Sequence, residues 1–470
     1  MPIGDAAAEI AILLAAVGAL LLAMFVPHRL QWLGSLLALS GIAIAAGFCA
    51  SQIGEARFTF SGVMAIDGAS VWSRLLILAS TALVVPLVPH WLATDRRHGE
   101  YYAMLLFSTL GAMVLATAAD LLQVVMGVLL SSVTGYTLAA WHRNWPISLE
   151  AGMKYFLIGA LANAILAIGV MLVFGLGGAS GFEPLAAALP LTEGSPLLLL
   201  GIALTVTGLA YKLGAFPAHA WLPDVTEGAP VPSAAFLTVV PKIGAAIALV
   251  RFVSLFPDDG LAVRPLIAAL AITTMTLGNL VAFWQEDVRR LIGWSSVSQA
   301  GYALMAIAVV GLSPAAVPAL LIFLLGYAAA NLAALSAVAH LRGRTALADY
   351  AGLSTSHPWT AVAIVIAFLS LVGIPPLAGF IGKFTLFAAT IDGGYWWLAA
   401  VAIANTVASL FYYLRVVAPI YTGPAGKPAA ALDWATAAAT GVSAFAVIIA
   451  GLAAQLVLGA VDGITLLPGR

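Results

Sequence analysis

The stretch "AYKLGAFPAHAWLPD", residues 210–224, sets a lysine, a histidine and two prolines inside an otherwise apolar run. Pro217 has no amide hydrogen to donate to the carbonyl of Leu213, so a helix through this segment must kink or break just after Lys212. The rest of the chain decides what that break means. Of 470 residues, 63% are hydrophobic and 8% charged, and the mean hydropathy is +1.07, outside the range of water-soluble domains. Apolar runs recur along the whole length, each of about 18 to 25 residues and so able as a helix to cross a hydrocarbon layer roughly 30 Å thick. They do not alternate in polarity, which argues against barrel strands. The expected fold is an all-α polytopic membrane protein. At membrane depth an interrupted backbone is tolerated only where protein or a water-filled cavity satisfies it. The break should therefore line such a cavity, with freed carbonyls facing Lys212 and with His219 able to relay a proton through either ring nitrogen.

Fourteen helices are expected, near 8–26, 32–50, 73–91, 101–118, 121–140, 152–176, 196–216, 233–256, 262–284, 290–311, 315–340, 361–387, 395–421 and 432–460. The first follows Asp5 and Glu9 instead of a basic segment, so it is expected to be retained and not cleaved as a signal peptide. Short loops join the helices, which makes one bundle. Placing both termini outside puts Arg29, Arg96, Arg97, Arg143, Arg289, Arg290, Arg342, Arg344, Arg415 and Lys427 at inner ends, against Arg57, Arg74, Arg251, Arg264 and Arg470 outside. The positive-inside rule favours that orientation. Cys49 is the single cysteine and lies in an apolar run, which excludes an internal disulfide and Cys-cluster metal sites. A net charge of −1 leaves no nucleic-acid footprint.

Four of the five lysines, Lys154, Lys212, Lys242 and Lys383, fall within expected spans, whereas nearly every loop cation is arginine. The partition has a chemical meaning, because arginine stays charged while a desolvated lysine can exchange a proton near neutral pH. Placing a lysine mid-span costs a few kcal/mol, which makes a functional role the default. The twelfth helix repeats the first arrangement: "LVGIPPLAGFIGKF", residues 371–384, carries Pro375 and Pro376 and then Lys383. Two broken helices five positions apart in helix order suggest a five-helix repeat, and an odd number of crossings inverts the second copy. The chain then divides into an N-terminal three-helix segment (1–100), a first repeat of helices four to eight (101–256), a second of helices nine to thirteen (257–421) and a last helix (422–470).

Other polar residues join this pattern. Lys242 stands beside Pro241 in "FLTVVPKIGA", residues 236–245. Glu150 and Lys154, in "SLEAGMKYF" (148–156), have the i, i+4 spacing and order of a helical ion pair. "WSSVSQAGY" (294–302) puts Ser295, Ser298, Gln299 and Tyr302 where they could hold water between Lys242 and Lys383 or pack helices. The sequence shows no dinucleotide fingerprint, Walker motif, haem-ligand pair or nucleophile and base set. Proton movement driven by a gradient or a partner is the chemistry left.

"FPAHAWLPDVTEGAPVPSAAFL" (216–237), "RRLIGWSSVSQAGY" (289–302), "GIPPLAGFIGKFTLF" (373–387) and "FYYLRVVAPIY" (411–421) together resemble the antiporter-like membrane subunits of respiratory complex I, the proton-translocating NADH:quinone oxidoreductase, and among them its N-type subunits. The resemblance runs from about residue 5 to 460. It implies two inverted five-helix repeats, broken helices seven and twelve, and two proton half-channels joined by a polar axis. It also implies proton-transfer roles for Lys212, Lys242, Lys383, Glu150, Lys154 and His219. No cofactor is implied in this chain; FMN, iron-sulfur clusters and quinone belong to partner subunits. The implied partners are antiporter-like and small quinone-proximal membrane-arm subunits in the lipid bilayer of a bacterial inner membrane. Gln299 stands where many members have histidine. In "GVLLSSVTGY" (127–136), Leu129 occupies the position of a glutamate that pairs with the seventh-helix lysine in the family. That substitution leaves a non-conducting structural subunit as one alternative, and a Mrp-type cation/proton antiporter subunit as another.

Overall fold

The computed structural model describes residues 2–189, 195–256, 262–424 and 433–467. In chain order its main helices are α1 (Ala7–Phe25), α2 (Leu33–Ala50), α3 (Gly68–Val84), α4 (His98–Thr117), α5 (Leu121–Ala139), α6 (Pro146–Gly177), α7 (Pro196–Leu213), α8 (Trp221–Gly228), α9 (Val231–Ser254), α10 (Val263–Ala282), α11 (Val288–Ala308), α12 (Ala316–His340), α13 (Pro358–Val372), α14 (Ala378–Asp392), α15 (Trp396–Thr422) and α16 (Trp434–Leu452). The expected seventh helix (196–216) is thus α7, with the short α8 following the break beyond its expected end, and the expected twelfth is α13 and α14. Twelve described helical segments are long and apolar enough to span a membrane. This is two short of the sequence expectation, for a physical reason in each case. The tenth, α11, carries Ser295, Ser296, Ser298 and Gln299 along its length, which lowers its apolarity, and the twelfth is cut by its break into lengths that cannot span alone.

Helix starts follow local chemistry more closely than hydropathy. The third helix begins at Gly68, ahead of the expected 73, because Asp67 and Ser70 form a reciprocal capping box (Ser70 N to Asp67 Oδ1, 2.8 Å; Asp67 N to Ser70 Oγ, 3.0 Å). The sixth starts at Pro146, which suits a first helical position, instead of at 152. One small element was not foreseen. Strands β1 (Arg57–Thr59) and β2 (Met64–Ile66) form an antiparallel hairpin with Phe58 opposite Ala65.

The core is built around α9, whose most apolar window is entirely buried. It packs against α4, α3, α12, α7 and α11. Small residues let it do so: a Cβ at Gly244 would run into the Ala112 carbonyl of α4. Close backbone approach of this kind is how helices associate where lipid removes the usual hydrophobic drive. A matching detail recurs in both halves. Gly111 of α4 lies against the Ser131 amide of α5, and Gly278 of α10 against the Ser298 amide of α11, with the same sequence offset between the glycines as between the serines.

The cations correct the sequence reading in one respect. Arg74, Arg251 and Arg264, expected at the outer ends of their helices, are essentially inaccessible. Each is compensated. Arg74 pairs with Glu9 (3.1 Å) and donates to Gln52 (2.6 Å); Arg251 forms a two-pronged pair with Asp67 (2.6 and 2.7 Å); Arg264 donates to the Ala308 and Val310 carbonyls. A planar guanidinium can be buried when its donors are matched in this way. Lys427 and Arg470 lie outside the described residues.

Candidate functional site

Lys212 is on the last turn of α7, which ends as expected beside Pro217. Gly214 takes a left-handed conformation (φ 71°), and its amide and that of Ala215 return to the Tyr211 and Ala210 carbonyls. The Tyr211 carbonyl also accepts from Trp221 Nε1 (3.1 Å), and the Phe216 amide donates to Thr274 of α10 (3.1 Å). The expectation that freed carbonyls face Lys212 is therefore corrected. The Ala210 and Tyr211 carbonyls are met by the loop and by Trp221, while Lys212 Nζ donates to the Tyr155 hydroxyl (3.4 Å) and lies 5.7 and 5.8 Å from the Tyr155 and Tyr211 rings. Tyr155 in turn stacks on Trp221 (4.2 Å). Pro217 is exposed on the surface of the chain instead of lining an enclosed cavity.

Lys242 sits at mid-length of α9. Its Nζ donates to the Ser296 carbonyl and hydroxyl, both at 2.7 Å. Ser296 Oγ meets the Tyr327 hydroxyl (2.6 Å), which donates to the Thr238 carbonyl (2.8 Å), and Asn331 donates to Thr238 Oγ1 (2.7 Å). Sequence reasoning missed Ser296, Tyr327, Thr238 and Asn331. Ser296 lies between two of the residues singled out, and the helical period of α11 was the signal that could have separated its face from theirs.

The residues singled out on α11 turn mostly toward the second break. Gln299 donates to the Leu371 carbonyl (3.1 Å), and Lys383 Nζ to the Val372 carbonyl (3.0 Å). Two side chains of the expected set thus satisfy the last two carbonyls of α13, which the break deprives of helical partners. Lys383 Nζ also lies 4.3 Å from the ring of Tyr302, whose hydroxyl meets Thr406 (2.9 Å). Ser295 pairs with the Tyr413 hydroxyl, and Ser298 Oγ is buried without a partner among the described residues. Pro375 and Pro376, like Pro217, are exposed. The two lysines fall on opposite sides of their breaks: Lys212 precedes the first and Lys383 follows the second. α11 therefore stands between Lys242 and Lys383, whereas Lys212 belongs to a separate aromatic cluster.

Glu150 and Lys154 do pair (2.7 Å), but both side chains are partly exposed and the pair is not closed. Lys154 also reaches Asp224 of α8 (3.0 Å), and Asp224 and Glu227 both hold Arg290 of α11 (2.5 and 2.6 Å). This chain of charges ties α6 to the half-helix after the first break and to α11. Sequence spacing showed only its Glu150–Lys154 link, since Asp224, Glu227 and Arg290 lie far along the chain from that pair. His219 lies 5.6 Å from Trp294, with Nδ1 buried and lacking a partner among the described residues. Leu129 is 39% exposed on α5, so the residue at the glutamate position faces outward from this chain.

Residues 118–409 match the family described as NADH:quinone oxidoreductase/Mrp antiporter, transmembrane. The chain is 42% identical over 399 residues to NADH-quinone oxidoreductase subunit N of Mycobacterium sp. (strain JLS), covering 84% of each. It is 39% identical over 459 residues to subunit N 1 of Streptomyces griseus, covering 96% of each. Among solved structures, a chain of respiratory complex I from Thermus thermophilus superposes with TM-score 0.82 at 30% identity, over 96% of this chain and 98% of that one. A chain of the Mrp complex from Dietzia sp. has TM-score 0.81 at 21% identity over 98% and 96%, which speaks to the fold alone. Family match, full-length relatives and common fold agree: the chain belongs to the antiporter-like membrane-subunit family of NADH:quinone oxidoreductases and Mrp antiporters, within its subunit N branch.

Proposed function

We propose that this chain is a non-redox membrane-arm subunit of a complex I-type NADH:quinone oxidoreductase and carries protons across the membrane, coupled to quinone reduction in partner subunits. The observation that carries the reading is the placement of Lys212, Lys242 and Lys383 as three buried amines on α7, α9 and α14. None has a carboxylate among its described partners, and each is held by hydroxyls, carbonyls or aromatic rings. Such groups tolerate both the charged and the neutral amine, which is what repeated loading and release of a proton requires. Lys242 and Lys383 flank α11, where the Ser298 hydroxyl and the Gln299 amide supply polar atoms between them. FMN, iron-sulfur clusters and quinone would reside in partners. The chain would make fourteen crossings of a bacterial inner membrane with both termini outside.

Lys242→Met in the assembled complex, reconstituted in vesicles, tests this. Protons moved per NADH oxidised should fall while artificial-acceptor NADH oxidation persists. Wild-type stoichiometry would overturn the reading. Leu129 favours one second reading, a scaffold that completes the membrane arm without conducting. In that case the same variant alters assembly or nothing, never the stoichiometry.

A further inference from the structure

A cavity of about 420 Å³ lies where five helical segments end: the continuation of α3 at Trp91, the start of α4, the end of α5, the start of α6 and the end of α12. Arg96, Arg97, Arg143 and Arg342 line it, with His142 and Asn144. Asp95 is the one carboxylate in the lining and is already engaged with Arg97, accepting its amide (2.8 Å) and lying 3.6 Å from Nε. Arg96, Arg143 and Arg342 have no ion-pair partner among the described residues, so the lining carries three uncompensated positive charges. None of the proton-transfer candidates borders this cavity.

Two of the guanidiniums are already oriented. Arg342 lies over the Trp91 ring (4.6 Å) and Arg97 over the Trp141 ring (4.9 Å), and Arg97 also donates to the Trp141 carbonyl (2.8 Å). Stacking restrains the planar group without consuming all of its donors. His142 accepts from Trp91 Nε1 through Nε2 (2.9 Å), so its neutral form carries its proton on Nδ1. Burial, opposed by Asp95 but assisted by Arg342 and Arg97, holds His142 below its usual range. It is therefore a neutral donor at pH 7. Convergent arginine forks with a neutral donor suit a phosphate oxygen cluster. The position at helix ends, with half-exposed Trp145 on the rim, is that of a bilayer interface.

We infer that this cavity binds a phosphate group, and that its occupant is the headgroup of an anionic phospholipid seated between α4, α6 and α12. The site would anchor the arginine-rich ends of these helices in the headgroup layer, where each basic residue adds attraction to anionic lipid.

The test uses the intact detergent-solubilised complex, stripped of lipid, and its melting temperature on titration with cardiolipin, with phosphatidylcholine or with inorganic phosphate. Arg96→Gln with Arg143→Gln is the informative variant, since neither side chain makes a described contact. Cardiolipin should give a saturable rise in wild type, with half-saturation shifted upward on the order of tenfold or more in the variant, while phosphatidylcholine gives none. Identical titrations of wild type and variant would overturn the site. A saturable rise with inorganic phosphate alone, abolished in the variant and uncontested by cardiolipin, would overturn the lipid assignment and leave a soluble phosphate. Should the variant fail to assemble, phenylglyoxal labelling of wild type decides. Cardiolipin should protect Arg96 and Arg143 several-fold relative to Arg29, which is likewise exposed but lies outside the cavity, and equal labelling with and without lipid would count against the proposal.

Discussion

Lys242 shows how a single amine is fitted into an otherwise apolar helix. Its two 2.7 Å bonds both go to Ser296, and the serine hydroxyl is itself braced by Tyr327. Ser296→Ala keeps the carbonyl acceptor but removes the hydroxyl and its link to Tyr327. Losing one such bond to a charged group should cost about 1.5–3 kcal/mol. The expected result is a lower proton-to-electron ratio with little change in complex yield, read in reconstituted vesicles. Asp67 is the structural counterpart. Burial works against its charge, but Arg251 and the amides of Leu467 and Ser70 outweigh burial and hold the carboxyl below its usual range. Its stabilising effect is complete above the unfolded pKa of about 4 and declines as pH falls through the lower folded value. Asp67→Asn would strand the buried Arg251 charge at a cost of about 3–5 kcal/mol. The melting temperature of the variant should drop at neutral pH, and the gap from wild type should narrow in acid.

The broken helices are the elements on which both lysines at the breaks depend. Gly373 ends α13 in a left-handed conformation (φ 96°), and Gly379 of α14 packs so tightly on the returning chain that a Cβ would fall onto the Ser370 carbonyl oxygen. Gly379→Ala should therefore push α14 off α13 and withdraw Lys383 from the Val372 carbonyl. A loss of more than about 2 kcal/mol is expected from such overpacking, visible as reduced thermal stability of the assembled complex and reduced proton transfer together. The prolines that locate these breaks stand plainly in the sequence. What receives the freed carbonyls does not, because Gln299 and Lys383 reach α13 from two different helices.

At the scale of the molecule, α9, buried along its apolar length, packs against helices of both halves, and in each half a glycine of one helix meets a serine amide of the next in the same way. The outward face of Leu129 and the exposed Pro217, Pro375 and Pro376 belong to a surface that a single chain leaves uncovered. A tagged copy purified from native membranes in mild detergent should bring with it flavin and iron-sulfur subunits. Recovery with only other membrane antiporter subunits would favour gradient-driven cation/proton exchange.

Composition, the run lengths of apolar residues and the lysine–arginine partition were enough to establish a polytopic helical protein with four lysines set in apolar spans and two proline breaks; the structure buries three of the four and leaves Lys154 partly exposed. Each of those signals is local, being written in consecutive residues or in a helical period. The partners of the amines were decided only by tertiary structure. Tyr155, Ser296 and the Val372 carbonyl meet Lys212, Lys242 and Lys383 from elements 57, 54 and 11 residues away. Tertiary structure likewise buried Arg74, Arg251 and Arg264, which the sequence reading placed only at outer helix ends. A charge looks costly to bury when read alone. Packing sets that cost, because it brings the matching acceptors from distant parts of the chain.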